Sequence, residues 1–407
     1  MGRRIEDTGH PAAGELFTAT VEGMAAGGEG VLRREGKRVF MDLCAPGDTV
    51  TGRITERHRD WDRAELVAVE TPSADRAAPS CPLFGRCGGC SLQHLSYEAQ
   101  LRTKAVILQD AFIRIGGFDP PVPALIPSPP LEYRNRMQFH WIRQFPGLRS
   151  RAGGPGLRTR RGGEIVSLPD CPVADRGIRE ALRRGALRPP PHKDRFTVYS
   201  RQEILLCEGG RERGTIRLLD RDITLEAGCF FQSNGAVLEL LIGDLLRAAE
   251  KADPALPAAD LYCGVGTFAA FLGRRFSRID LMERDRRALA LARRNAEGGA
   301  EFFALGDDQW AALQKQGGEK NSAYGFVVAD PPRKGLSPAM GRWLAESDCP
   351  LLAYVSCDPA TLARDSRLLR AGGYRLAELR LYDFYPQTAH IESLALFRKD
   401  RRGDEKK

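Results

Sequence analysis

The chain has 407 residues, enough for two or three domains, and its apolar share of 42% is ordinary for a globular protein. It contains no run of about 18 apolar residues, so no membrane span is predicted, and the amino terminus lacks the apolar core of a secretory signal. The net charge of +8 favours polyanionic partners. We therefore expect a cytoplasmic protein that binds no membrane.

The first 70 or so residues alternate short β-rich segments with glycine turns, for example at Gly27 to Gly30 and at Ala45 to Asp48. Several short strands in so little chain predict a small barrel of the oligonucleotide-binding kind. The glycine pattern and the Ala-Pro-Gly-Asp turn resemble a TRAM domain, an RNA-binding barrel attached to RNA-modifying enzymes. We predict that residues 1–73 form this domain.

Three cysteines lie close together after the barrel, at Cys81, Cys87 and Cys90. Ten cysteines in a chain without a secretory signal indicate metal binding or catalysis rather than disulfides. Cys171 is the best candidate for a fourth ligand. Zinc sites usually take two close pairs, whereas three clustered thiols and a remote one suit a [4Fe-4S] cluster, so we favour iron over zinc.

The central residues 74–227 alternate strand-like pieces with turns and are predicted to form a mixed, mostly antiparallel domain. Arginines crowd part of this region beside the aromatic residues Tyr133, Phe139, Trp141 and Phe145, a composition typical of a surface that neutralises phosphates and stacks bases. The arginines are Arg134, Arg136, Arg143, Arg149, Arg151, Arg158, Arg160 and Arg161.

Residues 228–407 alternate strands with helices, the pattern of an α/β doubly wound sheet. Gly264 and Gly266 follow the first strand, and Glu283 closes the second, where its carboxylate can accept both hydroxyls of a ribose. Because Ala269 completes a relaxed dinucleotide-binding pattern, a nicotinamide-dependent dehydrogenase is an alternative at this point.

Three reactive side chains adjoin other apolar runs of this domain. Asp330 follows the run 325–329, Cys357 ends the run 351–355, and Glu392 precedes the last run. A lone cysteine is usually inert core, but open sheets bind ligands at the carboxyl ends of their strands. We predict that three consecutive strands bring an acid, a thiol and a second acid to one edge. Such a set offers no logic for hydride transfer.

Five motifs of the chain together resemble the S-adenosylmethionine-dependent RNA 5-methyluridine methyltransferases. They are Gln232 to Asn234, Tyr262 to Gly266, Asp330 to Gly335, Val355 to Asp365 and Phe384 to Glu392. With the TRAM-like barrel and the four cysteines, the chain is similar to the bacterial 23S ribosomal RNA members over nearly its whole length. The resemblance implies a class I methyltransferase sheet and S-adenosylmethionine as cofactor.

The resemblance also implies site roles. Cys357 would add to carbon 6 of uracil, because carbon 5 becomes nucleophilic only in the resulting enolate, and Glu392 would later remove the proton from carbon 5. His390 is a rival base on the same predicted strand face. The cofactor-binding or base-pocket candidates are Gln232, Tyr262, Thr267, Glu283 and Asp330, with either Asp307 or Asp308 at the adenine and Phe230 at the site of an extruded uridine.

We therefore expect a monomeric enzyme that methylates a uridine of structured RNA, most simply 23S rRNA. Its alternatives are a tRNA T-loop uridine as target, or a non-catalytic RNA-binding protein that retains the cofactor fold. The arginine-rich central region looks short and divergent beside typical members of the family, and it is the region expected to hold the RNA.

Overall fold

The computed structural model describes residues 14–143, 153–316 and 324–400. These residues form two compact units. The first contains 14–85, Cys90–Ile107 and Gln387–Ala389, and the second contains the rest, beginning with Arg86–Gly89. No helix among the described residues is both long and apolar enough to cross a membrane.

A closed five-stranded barrel makes up most of the first unit, in the order β1-β2-β3-β5-β4. Its interior is filled by alternate residues of each strand, including Val21, Leu32 and Val50. Gly30 has to be glycine, because a Cβ there would lie 2.3 Å from the Cys44 sulfur. The predicted small barrel is thereby confirmed. The strands are β1 Leu16–Met24, β2 Gly30–Arg34, β3 Lys37–Met41, β4 Thr49–Arg57 and β5 Trp61–Thr71.

Helix α1 (Tyr97–Ala111) follows the cysteine cluster, and a π-helical turn (Phe112–Gly116) continues it. Within the first unit, the buried Gln100 amide donates to the carbonyl oxygens of Leu92 and Leu95 and to the Gln387 side chain. These bonds fix the loop before the helix and the short segment 387–389 in one unit.

A five-stranded antiparallel sheet forms the middle of the second unit, in the order β11-β10-β7-β8-β9, and a hairpin of β12 and β13 follows it. The prediction of an antiparallel region is confirmed. The sequence did not predict β8, because its Gly-Pro-Gly run carries no strand signal of its own, and it did not predict helix α2. The elements are β7 Arg136–Ile142, β8 Gly154–Arg158, β9 Ile165–Ser167, α2 Arg176–Arg183, β10 Arg195–Arg201, β11 Ile204–Cys207, β12 Arg213–Leu218 and β13 Arg221–Glu226.

The predicted aromatic stacking surface of this region is wrong in part. Phe139 is fully buried against Phe196, and the buried Tyr133 donates its hydroxyl hydrogen to the Pro386 carbonyl. Trp141 packs against the Arg188 guanidinium. Phe145, Arg149 and Arg151 lie outside the described residues. The aromatic residues at 133 and 139 are therefore core. Phe139 is buried because alternate positions of β7 face the interior.

An eight-stranded sheet dominates the second unit, in the order β16-β15-β14-β17-β18-β20-β19-β6. Strands β14 to β18 are parallel, and β20 is antiparallel to both of its neighbours. The strands are β6 Ala124–Ile126, β14 Ala258–Leu261, β15 Ile279–Met282, β16 Ala300–Phe303, β17 Phe326–Ala329, β18 Leu351–Ser356, β19 Tyr374–Tyr382 and β20 Glu392–Lys399. This confirms the doubly wound α/β sheet.

The helices of this sheet begin at side chains that accept backbone N–H bonds. Asn234, Asp285 and Asp358 cap α3, α5 and α8 in this way. The helices are α3 Gly235–Ala249, α4 Ala269–Leu272, α5 Arg286–Asn295, α6 Asp307–Gln316, α7 Pro338–Glu346 and α8 Pro359–Ala371. Because parallel strands are covered on both faces, their residues are buried without alternation, as in β14, β17 and β18.

Candidate active site

Cys357, Asp330 and Glu392 lie at one edge of the large sheet. Cys357 directly follows β18, Asp330 directly follows β17, and Glu392 is the first residue of β20. Because β20 runs antiparallel to β18, its start meets the end of β18. The three strands are not consecutive in the chain, contrary to the prediction, since β19 lies between β18 and β20 in sequence. They are neighbours in the sheet, which produces the expected convergence.

The charges at this edge act on one another. Burial, together with the charges of the Glu392 and Asp330 carboxylates and against the opposing effect of Arg333, raises the pKa of Cys357 to about 12. At neutral pH the free sulfur is therefore a thiol. Activation of this cysteine requires a group that takes its proton when the sulfur forms a bond.

The two carboxyl groups at this edge have raised pKa values themselves. Burial raises the pKa of Asp330 to about 7. Burial and the charge of Asp330 raise the pKa of Glu392 well above its usual range. One Glu392 oxygen, Oε1, is buried and has no hydrogen-bond partner among the described residues. Asp330 can therefore hold or release a proton close to neutral pH, and Glu392 holds its proton more readily than an ordinary glutamate.

Gln232 lies beside these acids. Its Nε2 donates to Asp330 Oδ2 at 3.4 Å, and its Oε1 is a buried acceptor that no described residue satisfies. Unpaired buried acceptors are rare in folded proteins and often mark a place where a ligand binds. Two such acceptors, Gln232 Oε1 and Glu392 Oε1, thus lie beside Asp330, and the sequence predicted all three residues.

The predicted cofactor residues lie around the loop after β14. Tyr262, Gly264 and Gly266 all have positive φ angles, of 63°, 54° and 77°. Gly264 donates its N–H to the Glu283 carboxylate at 3.1 Å, and a Cβ on Gly264 would meet no atom within 4 Å. A ligand can therefore approach the backbone beside Glu283. Thr267 follows in the same loop and is half-buried.

The structure distinguishes Asp307 from Asp308, which the sequence left open. The Tyr262 hydroxyl donates to Asp307 Oδ2 at 2.9 Å, and the Ser337 N–H donates to the same oxygen at 3.1 Å. Asp308 instead accepts from the Ser337 hydroxyl. Asp307 is therefore the acid that adjoins the predicted cofactor residue Tyr262.

Asp260 is a site residue that the sequence reasoning missed. It lies inside β14, accepts the Ala269 N–H at 2.9 Å through Oδ2, and has no described partner for Oδ1. Burial raises its pKa to about 8, and the charges of Asp330 and Glu283 contribute. The signal in the sequence was an acid within the apolar run Ala258 to Leu261, because a carboxyl group is seldom buried unless it is paired or has a function.

The structure places His390 outside the strand on which it was predicted, and it shows that Phe230 is exposed. His390 precedes β20 instead of lying on the same strand face as Glu392, and its Nδ1 is 3.0 Å from Arg333 Nη2. Phe230 is 60% exposed, and the guanidinium of Arg136 lies 5.6 Å from its ring centre. Phe230 is therefore not part of the core.

The structure does not show the predicted four-cysteine ligand group. Cys87 and Cys171 are buried in the second unit. Burial is the main cause that raises the pKa of Cys171 to about 11, and the charge of Cys87 contributes. Cys81 and Cys90 belong to the first unit. Within the described ranges, no group of three or more ligand side chains is placed to hold a metal ion. The cluster stays a prediction.

The chain is similar to known RNA-modifying proteins. Residues 312–400 match the family described as "tRNA (Uracil-5-)-methyltransferase". The chain is 30% identical to the "23S rRNA (uracil(1939)-C(5))-methyltransferase RlmD" of Methylococcus capsulatus, over 98% of this chain and 100% of that protein. It is also 30% identical to the protein of the same name from Pectobacterium atrosepticum, over 94% of each chain.

The fold is similar to that of a solved structure from Pyrococcus abyssi. That structure is a tRNA (uracil-54, C5)-methyltransferase in complex with S-adenosyl-L-homocysteine, 24% identical, with a TM-score of 0.71. The similarity covers 93% of this chain and 99% of that one. At this identity the comparison supports the fold.

Proposed function

Because the chain belongs to the S-adenosylmethionine-dependent RNA uracil-5-methyltransferase family, we propose that it methylates carbon 5 of one uridine in 23S rRNA. The target is the one named for relatives that match at least 94% of this chain. The observation that carries the chemistry is the convergence of Cys357, Asp330 and Glu392 at one sheet edge.

The first step is the addition of the Cys357 sulfur to carbon 6 of the uracil ring. The S–C6 bond forms, the electrons of the C5–C6 double bond move toward the carbonyl oxygen at carbon 4, and carbon 5 becomes nucleophilic. The thiol has to lose its proton in this step. Asp330 is an available acceptor, because its charge acts on Cys357 and its pKa of about 7 matches that of a general base.

The second step transfers the methyl group and then releases the product. S-adenosylmethionine, when bound, would supply a methyl group on a positively charged sulfur. Carbon 5 would gain this methyl group as its bond to that sulfur breaks, and the donor would leave as the neutral thioether S-adenosylhomocysteine. The Glu392 carboxylate then takes the proton from carbon 5, and the C6–S bond breaks to restore the ring. The buried Oε1 of Glu392, which has no partner among the described residues, supports this role.

Binding of the ring and of the cofactor falls to the remaining predicted residues. The unsatisfied Oε1 of Gln232 fits the imide N–H of uracil, a donor. Glu283 would accept the ribose hydroxyls of the cofactor, beside the open backbone at Gly264. Tyr262 and Asp307 would line the adenosine side of the same pocket, with Thr267 next to it.

The thiols of Cys81, Cys87, Cys90 and Cys171 would hold a [4Fe-4S] cluster. Four thiolates are the usual ligand set of such a cluster, and the Cys87 and Cys171 sulfurs already interact electrostatically. The two glycines after Cys87 support a wrapped loop: Gly88 donates its N–H to the Arg158 carbonyl, where a side chain would clash with the backbone. No catalytic step requires the cluster.

Transfer of a labelled methyl group tests the proposal. Purified protein is incubated with tritiated S-adenosylmethionine and with transcripts of 23S rRNA or tRNA. We expect one 5-methyluridine in the rRNA transcript and none with Cys357→Ala. The matched control is Cys207→Ser, which alters a half-buried thiol on β11 that donates to the backbone carbonyls of Arg188 and Glu208. This variant should stay active. Absence of label in both RNAs would contradict the proposal.

A tRNA uridine is the second candidate target, because the matching family and the archaeal structure are both named for tRNA. The same experiment separates the two. Label in the T-loop of tRNA, with none in 23S rRNA, would replace the first target by the second.

A further inference from the structure

A cluster of basic side chains lies on one face of the central antiparallel sheet, away from Cys357 in sequence. His140 on β7 pairs directly with Arg195 on β10 and with Gly156 on β8. Arg158 lies two residues after Gly156 on the same strand. Because directly paired and next-but-one residues share a face, His140, Arg158 and Arg195 lie on one face. We call them the basic triad.

The geometry leaves the basic triad open. Arg158 and Arg195 are exposed and His140 is half-buried. Gly156 has no side chain to shield His140, and it has to be glycine because a Cβ there would lie 2.5 Å from the Val166 carbonyl oxygen. Arg195 also bonds to the side chain of Gln138, which holds its guanidinium over the β7 strand.

The charges of the basic triad repel one another. The pKa of His140 is lowered by burial and by the charges of Arg158 and Arg195. The acid beside β10, Asp194, is paired with Arg143 at 2.8 Å, and no carboxylate contributes to the shift at His140. An anion is the ligand that would relieve this repulsion.

The same strand face leads toward the exposed ring of Phe230. Arg136, Gln138 and His140 alternate along β7, so their side chains point to one side, and Arg136 lies against Phe230. His140 is four positions beyond Arg136, which corresponds to about 13 Å along a strand. We propose, on the basis of the proposed function, that the basic triad binds a phosphate group of the RNA strand that flanks the target uridine.

The salt dependence of RNA binding tests this site. A fluorescein-labelled hairpin transcribed from 23S rRNA is titrated with wild type and with the double variant Arg158→Gln, Arg195→Gln at several salt concentrations. Loss of two phosphate contacts should lower the slope of log K against log salt by about 1.4 for single-stranded RNA. The control Arg217→Gln removes an exposed arginine of β12 that pairs with Asp222 at 2.9 Å, and it should leave the slope unchanged.

Two further measurements separate this inference from the proposed function and from misfolding. The double variant should keep its affinity for S-adenosylmethionine and its kcat at saturating RNA, with a raised KM for RNA. A salt slope of the double variant equal to that of wild type would overturn the inference. The inference would also be overturned if poly-glutamate, a polyanion without phosphate, displaced the RNA from wild type as well as from the double variant. Absence of methyl transfer by wild type would count against the proposed function instead, because RNA binding is measured without turnover.

The pH dependence of binding gives a second readout. A phosphate beside His140 offsets the two arginines and favours the imidazolium, so RNA binding takes up a proton. Wild-type affinity should therefore rise as the pH falls from about 7.5 to about 5.5, across the ordinary titration range of histidine. His140→Gln should lose this dependence and keep its affinity at the higher pH. An unchanged pH dependence in His140→Gln would overturn the inference.

Discussion

Cys357 directly follows Ser356, and Glu392 directly precedes Ser393, and these two serines are paired residues of adjacent strands. The Ser393 hydroxyl also donates to the Ser356 carbonyl at 3.3 Å. Antiparallel pairing thus places the thiol and the carboxyl group side by side, although 35 positions separate them in the chain. Their proximity follows from the reversed direction of β20.

The proposed roles of this pair predict different failures for the two residues. Cys357→Ala should reduce methyl transfer by more than about a thousandfold and form no covalent complex. Glu392→Gln should still add sulfur and transfer the methyl group, so that a protein–RNA adduct carrying the methyl group accumulates.

Denaturing gels with labelled RNA and labelled cofactor detect that adduct. Glu378→Gln is the matched control, because Glu378 is a carboxylate of β19 that pairs with Lys251 and Arg380. In wild type, RNA with 5-fluorouridine at the target should become trapped when the methyl donor is present. Rapid turnover by Glu392→Gln, or no trapping by wild type, would contradict the mechanism.

The acids beside Cys357 predict how the reaction depends on pH. Below about pH 7 Asp330 is protonated and cannot accept the thiol proton, so kcat should fall as the pH is lowered through that value. Above it the addition of the Cys357 sulfur should no longer depend on the ionisation of Asp330. If free thiolate were needed without a base, log kcat would instead keep rising toward the Cys357 pKa of about 12. Single-turnover rates from pH 5.5 to pH 9 distinguish the two profiles.

Asp260 predicts a pH-dependent cost to stability. Its pKa is raised from 3.8 to about 8 by burial, with the charges of Asp330 and Glu283 contributing, so the folded protein holds a proton that the unfolded chain releases above pH 4. The free energy of unfolding should therefore fall between about pH 4 and pH 8. Asp260→Asn, whose amide oxygen can still accept the Ala269 N–H, should remove this contribution.

Thermal unfolding measured at both ends of the range tests the Asp260 effect. The variant should be more stable than wild type by a few kcal/mol at pH 8 and about equal to it at pH 4. Asp253→Asn serves as the control, because Asp253 is an exposed acid that likewise accepts a backbone N–H, from Ala255. Equal stability of Asp260→Asn and wild type at pH 8 would show that Asp260 ionises freely in the folded protein.

Glu283 predicts the strength of cofactor binding. Its carboxylate accepts N–H bonds from Gly264 and Asp285 and would use its remaining lone pairs for the ribose hydroxyls. Glu283→Gln should weaken the binding of S-adenosylmethionine by about tenfold or more, because hydrogen bonds to a charged acceptor are the stronger kind. Calorimetric titration measures this. Glu301→Gln, an exposed acid on the neighbouring strand, should bind the cofactor like wild type, and NAD should not bind to either.

The cysteines predict the metal content. Protein purified without oxygen should be brown and contain about four iron atoms per chain. Cys81→Ser should lose the colour and the iron, whereas Cys349→Ser, at a buried thiol bonded to the Leu351 carbonyl, should keep both. A colourless wild-type protein that contains zinc would contradict the proposal.

The sequence by itself determined the elements and the reactive groups. Uninterrupted apolar runs predicted the buried parallel strands, glycine turns predicted the barrel, and a thiol or acid at the end of a run predicted Cys357, Asp330 and Glu392 as site residues. These signals are local, because strand propensity, turn geometry and burial each depend on a few neighbouring residues.

The tertiary structure alone decided which distant residues meet. In the structure β20 pairs with β18, although β19 lies between them in sequence, and Tyr262 bonds to Asp307 and not to Asp308. His390 lies before β20, Phe139 is buried and Phe230 is exposed. It also brought Arg158 and Arg195 to His140. No local pattern specifies these contacts, because strand order and register depend on how whole surfaces pack, and a shift of one residue exchanges the two faces of a strand.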